Sequence, residues 1–306
     1  MKNNKISTER LAKICNVSQG TVDRALHNRK GISENTKKHI LAVAREYGYR
    51  PNKISNENKG LIGIIVFDLY NEYFSELVML LEKALRSKGY YSLVMFSDKN
   101  KETELECIEA MYNAGVDGII LCPINKGIEF SKYLYSWKIP VVTVGNKVEG
   151  IKYIGIDNFS AMQDLTEYVL NKNYKNLIYY CPVMENDDLN MYAQEQRYNG
   201  FKSAISQNNN INFSVVNNID DCKLYLRSDT AIIASTDVYA LEVMFSGIDT
   251  NTLVVGFDNI PSIYNYKIPL LSVSHDKTLC ANAVLNYLIN PQNNDDEYIS
   301  YSIQNP

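Results

Sequence analysis

Residues 61–67, LIGIIVF, form an unbroken apolar run closed by Asp68, the pattern of a strand buried on both faces. Similar runs recur as YSLVMF (91–96), VDGIILC (116–122), PVVTV (140–144), NLIYY (176–180), AIIAS (231–235), LVVGF (253–257) and LLSVS (270–274). Between them, apolar positions at helical spacing predict helices over Ser75–Lys88, Glu102–Asn113, Gly127–Trp137, Ser160–Asn171, Glu195–Gln207, Asp237–Phe245 and Lys277–Ile289. Ser160-x-x-Gln163 reads as a capping box opening one of them. Strands alternating with helices predict an α/β fold with parallel sheets covered on both faces. Roughly 245 residues are too many for one such open sheet, so the pattern predicts two similar lobes with a cleft between them.

The first fifty residues follow another rhythm, that of three short helices. Ser7 is placed to cap the first, with Leu11, Ile14 and Cys15 on one face. Asn16 stands where the turn needs a left-handed residue. Ser18 caps the second helix, which buries Val22, Ala25 and Leu26. Ser33 caps the third, with Ile40, Leu41, Ala44 and Tyr47 facing inward and Gly48 ending it. The polar stretch RPNKISNENKG (50–60) reads as a linker.

The charge distribution sharpens this division. The net charge of −4 conceals thirteen Lys/Arg against five Asp/Glu in residues 1–60, and eighteen against thirty in the remainder. A basic module on an acidic body fits contact with a polyanion through the first part alone; a solubilising basic arm is the alternative. The six cysteines are scattered without a C-x-x-C pair, which predicts reduced, mostly buried thiols. No apolar run reaches the ~20 residues of a membrane span, and the start has no signal-peptide apolar region, so the expected compartment is the cytoplasm. The chain has no G-x-G-x-x-G, G-x-x-x-x-G-K-[ST], H-E-x-x-H or G-x-S-x-G motif, and only three histidines (His27, His39, His275). These absences disfavour an enzyme, and neither a cofactor nor a metal is expected.

Residues 7–52 carry L-A-x-x-x-x-V-S-x-x-T-V-x-R-x-L, then S-x-x-T, then E-x-G-Y-R-P-N. This run resembles the headpiece of the lactose-repressor (LacI/GalR) family of bacterial transcription regulators. The segments IGIIVFDLYNEYFSEL, GVDGIILCP, IPVVTV, GIDN, QRYNGF, VVGFDN and LLSVSHD resemble, in order, that family's periplasmic-binding-protein-like effector domain. The resemblance implies an all-α helix–turn–helix headpiece (1–49), a hinge (50–60) and a two-lobed effector-binding and dimerisation domain (61–306). The expected lobes are 61–159 with 276–291, and 160–275 with 292–306.

In a helix–turn–helix protein the second helix enters the major groove. The resemblance makes Gln19, Gly20 and Arg24 the base readers; Gln pairs bidentately with adenine and Arg with guanine. Ser7, Ser18 and Thr21 are implied at phosphates, with His27, Asn28 and Arg29 adding backbone contacts. The hinge departs from the family: Ser55 stands at its usual alanine position and Asn58 at that of its minor-groove leucine. Asn58 is no apolar wedge, so weaker bending of the operator is expected.

In open parallel sheets ligands lie beyond the carboxyl ends of the strands. The residues there are Asp68, Asn71, Tyr73, Phe74, Asp157, Asp237, Asp258 and Asp276, with Arg197 in R-x-x-G-F. By resemblance these face a small effector, most simply a sugar or polyol, since carboxylates and arginine bind hydroxyls and an aromatic face covers C–H groups; a nucleobase is the other candidate. The implied whole is a homodimeric, ligand-responsive regulator, most simply a repressor, on a palindromic double-stranded operator. The alternative is a cytoplasmic small-molecule sensor whose atypical hinge leaves weak or no operator binding.

Overall fold

The computed structural model describes residues 6–26, 29–47, 49, 60–183, 188–208, 210–227, 229–249, 251–291 and 295–304. The linker residues 51–59, and with them Ser55 and Asn58, lie outside these, as do His27, Asn28 and Gly48.

The N-terminal unit consists of α1 (Thr8–Ile14), α2 (Gln19–Leu26) and α3 (Glu34–Glu46). Each start is capped by a serine: Ser7, Ser18 and Ser33 Oγ accept from the backbone N–H of Arg10 (3.2 Å), Thr21 (3.1 Å) and Thr36 (3.1 Å). Such a cap satisfies one of the orphan N–H groups of a helix's first turn. Asn16 turns the corner between α1 and α2 with φ of 52°. Leu11, Cys15, Val22, Ala25, Leu26, Ile40, Leu41 and Ala44 form the core. Two inward assignments fail. The buried stripe of α1 runs through Leu11, Ala12 and Cys15, which leaves Ile14 at its edge and exposed, and Tyr47 lies past the end of α3 and points outward.

The body begins with β1 (Gly60–Val66), α4 (Glu72–Ser87), β2 (Tyr90–Phe96), α5 (Lys101–Asn113), β3 (Gly118–Leu121), α6 (Ile128–Ser136), β4 (Val141–Thr143) and β5 (Lys152–Gly155). The chain then crosses into α7 (Asn158–Leu170), β6 (Asn176–Tyr180), α8 (Tyr192–Ser206), β7 (Asn212–Val216), α9 (Ile219–Leu224), β8 (Thr230–Ala234), α10 (Asp237–Phe245), β9 (Leu253–Phe257), α11 (Pro261–Tyr266) and β10 (Leu271–His275). It returns for α12 (Lys277–Ile289) and β11 (Glu297–Tyr298), and crosses a third time into β12 (Tyr301–Gln304).

Among the described residues two six-stranded sheets result, ordered β11-β5-β4-β3-β1-β2 and β12-β10-β9-β8-β6-β7. Every pairing is parallel except β10 with β12. The near-continuous burial of β1, β3, β8 and β9 follows from helices on both faces. Strand β11 pairs with β5, so the third crossover falls after Tyr298 and not at residue 292. Two residues carry too little pattern to assign such a strand from sequence.

Helix α7 opens two residues earlier than the capping-box reading placed it. Asp157 is its N-cap, accepting from the Ser160 N–H (3.1 Å) and Oγ (2.7 Å). Both residues are short and polar, and the box pattern selected the wrong one. Gly200 lets α8 lie close against α7: a Cβ there would stand 2.2 Å from the Phe159 carbonyl oxygen. All six cysteines are buried and unpaired.

Candidate functional site

Two surfaces collect the chemistry. The first is the start of α2, where Ser18, Gln19 and Gly20 are exposed. Alone among the three headpiece helices α2 has no acidic residue in its first turn, where α1 has Glu9 and α3 has Glu34. Its positive dipole end is therefore left without a carboxylate. Ser18 Oγ and Thr21 Oγ1 are bonded at 2.9 Å, and Gln19 Nε2 donates to Thr8 Oγ1 at 3.1 Å, which draws the first helix's Thr8 alongside α2. Arg24 is exposed one turn on, and a Cβ on Gly20 would meet nothing closer than 3.8 Å, so that side of α2 is open. Ser7 is engaged as the α1 cap, and Arg29 pairs with Asp23 at 2.9 Å. The unit is tied to the body where it ends: Tyr112 Oη donates to the Tyr49 carbonyl (2.8 Å) and Lys138 Nζ to that of Glu46.

The second surface is the cleft, a cavity of about 400 Å³ between the lobes. Asp68, Asn71, Tyr73, Phe74, Arg197 and Asp258 line it. Arg197 is 7% exposed and held on three sides. Its Nε donates to Asn158 Oδ1 (2.9 Å), Nη1 to the Ser235 carbonyl (2.7 Å) and Nη2 to Asp258 Oδ1 (2.8 Å). The guanidinium also lies 3.7 Å from the Phe257 ring centroid. Burial raises the Asp258 carboxyl above its ordinary range, and the adjacent Arg197 charge pulls it back. At the mouth Lys99 pairs with Asp68 at 3.1 Å. Among the described lining residues, then, the two cations are each matched by a carboxylate, and the wall is balanced in charge.

The apolar side is built from rings. Phe74 meets Phe67 (4.5 Å) and Tyr73 (5.0 Å) edge-on, a geometry set by the ring quadrupoles. Asn71 serves double duty: it caps α4 through the Tyr73 N–H (3.0 Å) and faces the cavity.

Across the cleft the lobes touch at two places. Asn190 donates from its backbone N–H to the Ile124 carbonyl (2.8 Å) and from Nδ2 to those of Asn125 (3.1 Å) and Lys147 (3.0 Å). Asn146 answers by donating to the Asn190 carbonyl (2.7 Å) and accepting from the Ala193 N–H (3.0 Å). On the other flank Glu72 accepts from the N–H (2.7 Å) and the Oγ of Ser262, and Tyr264 donates to Glu76 (2.9 Å). The lobes are thus bonded to each other on both flanks of the cleft.

Residues 10–52 match the family model "bacterial regulatory proteins, lacI family" and residues 59–220 the model "periplasmic binding proteins and sugar binding domain of LacI family". The chain belongs to the LacI family. Catabolite control protein A of Staphylococcus xylosus is 28% identical over 203 residues, an alignment spanning 64% of this chain and 60% of that one. The ribose operon repressor of Halalkalibacterium halodurans is 26% identical over 282 residues, 86% of this chain and 82% of that one. The lac repressor dimer bound to operator and the anti-inducer ONPF shares the fold, with a TM-score of 0.69, 15% identity and 98% of each chain covered.

Within this LacI-family fold three expected effector contacts stand elsewhere. Asp157 is the α7 cap, and Asp276 caps α12 by accepting from the Leu279 N–H (2.9 Å). Neither lines the cavity. Asp237 is fully buried beneath it, where it accepts from Ser272 Oγ (2.7 Å) and the Ile260 N–H (3.0 Å) and so fixes the segment that carries Asp258. Sequence reasoning missed Asn146, Tyr153, Asn158, Asn190, Gln194 and His275, which line the cavity. Of these, Asn158 and His275 each stand beside a chosen residue in a quoted segment, GIDN and LLSVSHD. Among the described residues no three His, Cys, Asp or Glu side chains cluster in a way that could hold a metal, and no helix is long and apolar enough to cross a membrane.

Burial, reinforced by the Asp258 charge, lifts the Asp237 carboxyl to about 7, although Ser272 and the Ile260 N–H oppose this. The folded state therefore holds a proton that the unfolded chain releases at ordinary carboxylate pH, and stability falls as pH rises from about 4 to 7. Asp237→Asn removes that decline. In urea titrations it gains on wild type between pH 4.5 and 7.5, by a few kcal/mol at about 1.4 kcal/mol per pKa unit.

Proposed function

We propose that the chain is a homodimeric regulator, most simply a repressor, that reads a palindromic double-stranded DNA operator through α2, and that an uncharged sugar or polyol in the cleft sets its DNA affinity. The charge balance of the cleft carries the ligand class. Arg197 is neutralised by Asp258 and Lys99 by Asp68, so an anionic ligand finds no free cation among the described lining residues. The remaining N–H groups and lone pairs, set beside Tyr73 and Phe74, suit hydroxyls on one face of a ring and C–H groups on the other. The ribose operon repressor among the relatives supports the same class.

The polarity of α2 supports DNA reading: its first turn lacks an acidic residue and its exposed face carries Gln19, Gly20 and Arg24. In this reading Ser18 and Thr21 contact phosphates. One headpiece covers a half-site, so a two-fold dimer follows from groove spacing. Exposed Met79 on α4 and exposed Tyr266 on the neighbouring α11 offer apolar surface for a second copy. The tie from Tyr112 and Lys138 to the end of the headpiece gives lobe motion a route to α2, and a ligand acts through it by binding one lobe arrangement better than the other. This function places the protein in the cytoplasm with the DNA.

Thermal-shift measurement of the full chain against monosaccharides, polyols and nucleobases tests the ligand class. A shift with sugars or polyols alone is expected, and a shift with nucleobases alone contradicts it. With Asn58 in place of an apolar wedge, the operator is bent weakly. In a circular-permutation assay the bound DNA shows little central kink, and substituting residues 52–58 leaves the bend unchanged; a strong kink that depends on those residues contradicts the reading.

A further inference from the structure

His275 ends β10, immediately before the crossover that leads into α12. It lines the cavity, 8% exposed, with its ring 5.7 Å from that of Tyr73. Neither Nδ1 nor Nε2 has a hydrogen-bond partner. Among the described residues that line the cavity, His275 is the one whose buried polar side-chain atoms are unpartnered. Buried polar groups in native proteins are paired as a rule, and a specific exception calls for an explanation.

The ring's surroundings decide its form. Burial, with the Lys277 and Arg197 charges behind it, drives its pKa down to about 3 against the weak opposing pull of Asp276. The groups that bear on it are thus Lys277, Arg197 and Asp276, with the Tyr73 phenol and Asp258 also on the cavity wall. A neutral imidazole presents one N–H donor and one lone pair. That pairing suits hydroxyl groups, each of which can both donate and accept. It suits a carboxylate or phosphate half as well, since those only accept.

We propose that His275 is the specificity-determining residue of the cleft, a neutral imidazole whose N–H donates to, and whose lone pair accepts from, hydroxyls of an uncharged polyhydroxylated ligand. The inference rests on the sugar-or-polyol reading above and adds which residue enforces it. Both nitrogens are buried in a ring that borders the cavity, and in this proposal a ligand reaches them as the lobes turn about the crossovers. Because His275 stands at a crossover itself, the bonds it makes to a ligand act where the lobes turn.

The test uses the full chain, wild type and two variants, His275→Phe and His275→Gln. Each is melted alone and titrated calorimetrically with D-ribose, D-glucose, xylitol, D-glucose 6-phosphate and hypoxanthine. Replacing an unpartnered buried polar group by an apolar one of similar shape is neutral or stabilising, so His275→Phe melts no lower than wild type in the absence of ligand. The same variant binds at least tenfold more weakly whichever of D-ribose, D-glucose or xylitol wild type binds. His275→Gln, which keeps a donor and an acceptor, recovers part of that loss. A residue with a merely structural role shows the opposite pattern, a lower melting temperature with unchanged affinity in His275→Phe, and that result overturns the proposal. If a neutral sugar binds wild type and His275→Phe equally, this proposal alone fails. If only D-glucose 6-phosphate or hypoxanthine binds wild type, or no compound does, the sugar-or-polyol reading fails and this inference with it.

Discussion

Arg197→Met abolishes the thermal shift produced by the effector and destabilises the ligand-free protein by about 3–5 kcal/mol, the cost of leaving a buried charge without its partner. The size follows from the surroundings. Asp258 and Arg197 are almost wholly buried, and the guanidinium also satisfies Asn158 Oδ1 and the Ser235 carbonyl. Losing it strands three acceptors at once. Asp258→Asn in turn leaves the arginine charge uncompensated and is destabilising by a similar mechanism. Asparagine is the substitution to use, because residue 258 sits at φ of 107°, a region that short polar side chains tolerate best among residues with a Cβ. The double variant Arg197→Gln/Asp258→Asn removes both charges while keeping polar groups in place, and recovers much of the stability in a double-mutant cycle. It does not recover the ligand response. Urea denaturation with and without ligand separates the two effects: stability losses that simply add, with no coupling between the positions, contradict the account of this pair.

The second large effect is on DNA. Arg24→Ala and Gln19→Ala each cost about 1–3 kcal/mol of operator affinity and relax preference at one base position. Both side chains are exposed on a helix whose fold does not depend on them, so the headpiece melts unchanged. Gln19 gives up only its bond to Thr8. Arg29 behaves differently: its pairing with Asp23 makes it a weaker contributor, and its loss flattens the salt dependence of binding more than it alters sequence preference. The check is anisotropy titration on the operator and on single-base variants of it. Uniform loss over all sequences in Gln19→Ala and Arg24→Ala would make these residues phosphate contacts and not readers.

Much of this architecture is legible in the sequence. Long apolar strands such as β1 and β9 declare themselves because burial on both faces leaves no polar alternation to confuse them, and the serine caps of α1, α2 and α3 sit where an orphan N–H needs an oxygen. The failures are local and physical. Asp157, Asp237 and Asp276 stand near strand ends, as ligand-facing carboxylates do, yet the same short side chain one position either way caps a helix or braces a loop. Asn190 and Asn146 were invisible because their partners belong to the opposite lobe, and no local period encodes that approach. In the sequence His275 stands out as one of three histidines and as part of LLSVSHD. Its lack of partners is a property of the packed cleft and not of its neighbours in the chain.

The claim at the centre is that α2 reads a symmetric DNA site whose occupancy the cleft controls. Selection of the full-length protein on random duplex DNA, followed by titration of the enriched duplex with and without the sugar or polyol that shifts its melting temperature, tests both halves together. The account predicts an inverted repeat with half-sites about one helical turn apart, affinity that falls steeply with salt and a ligand-dependent change of at least fivefold. Failure to enrich any symmetric sequence at low salt, or an operator affinity indifferent to a ligand that demonstrably binds, contradicts it.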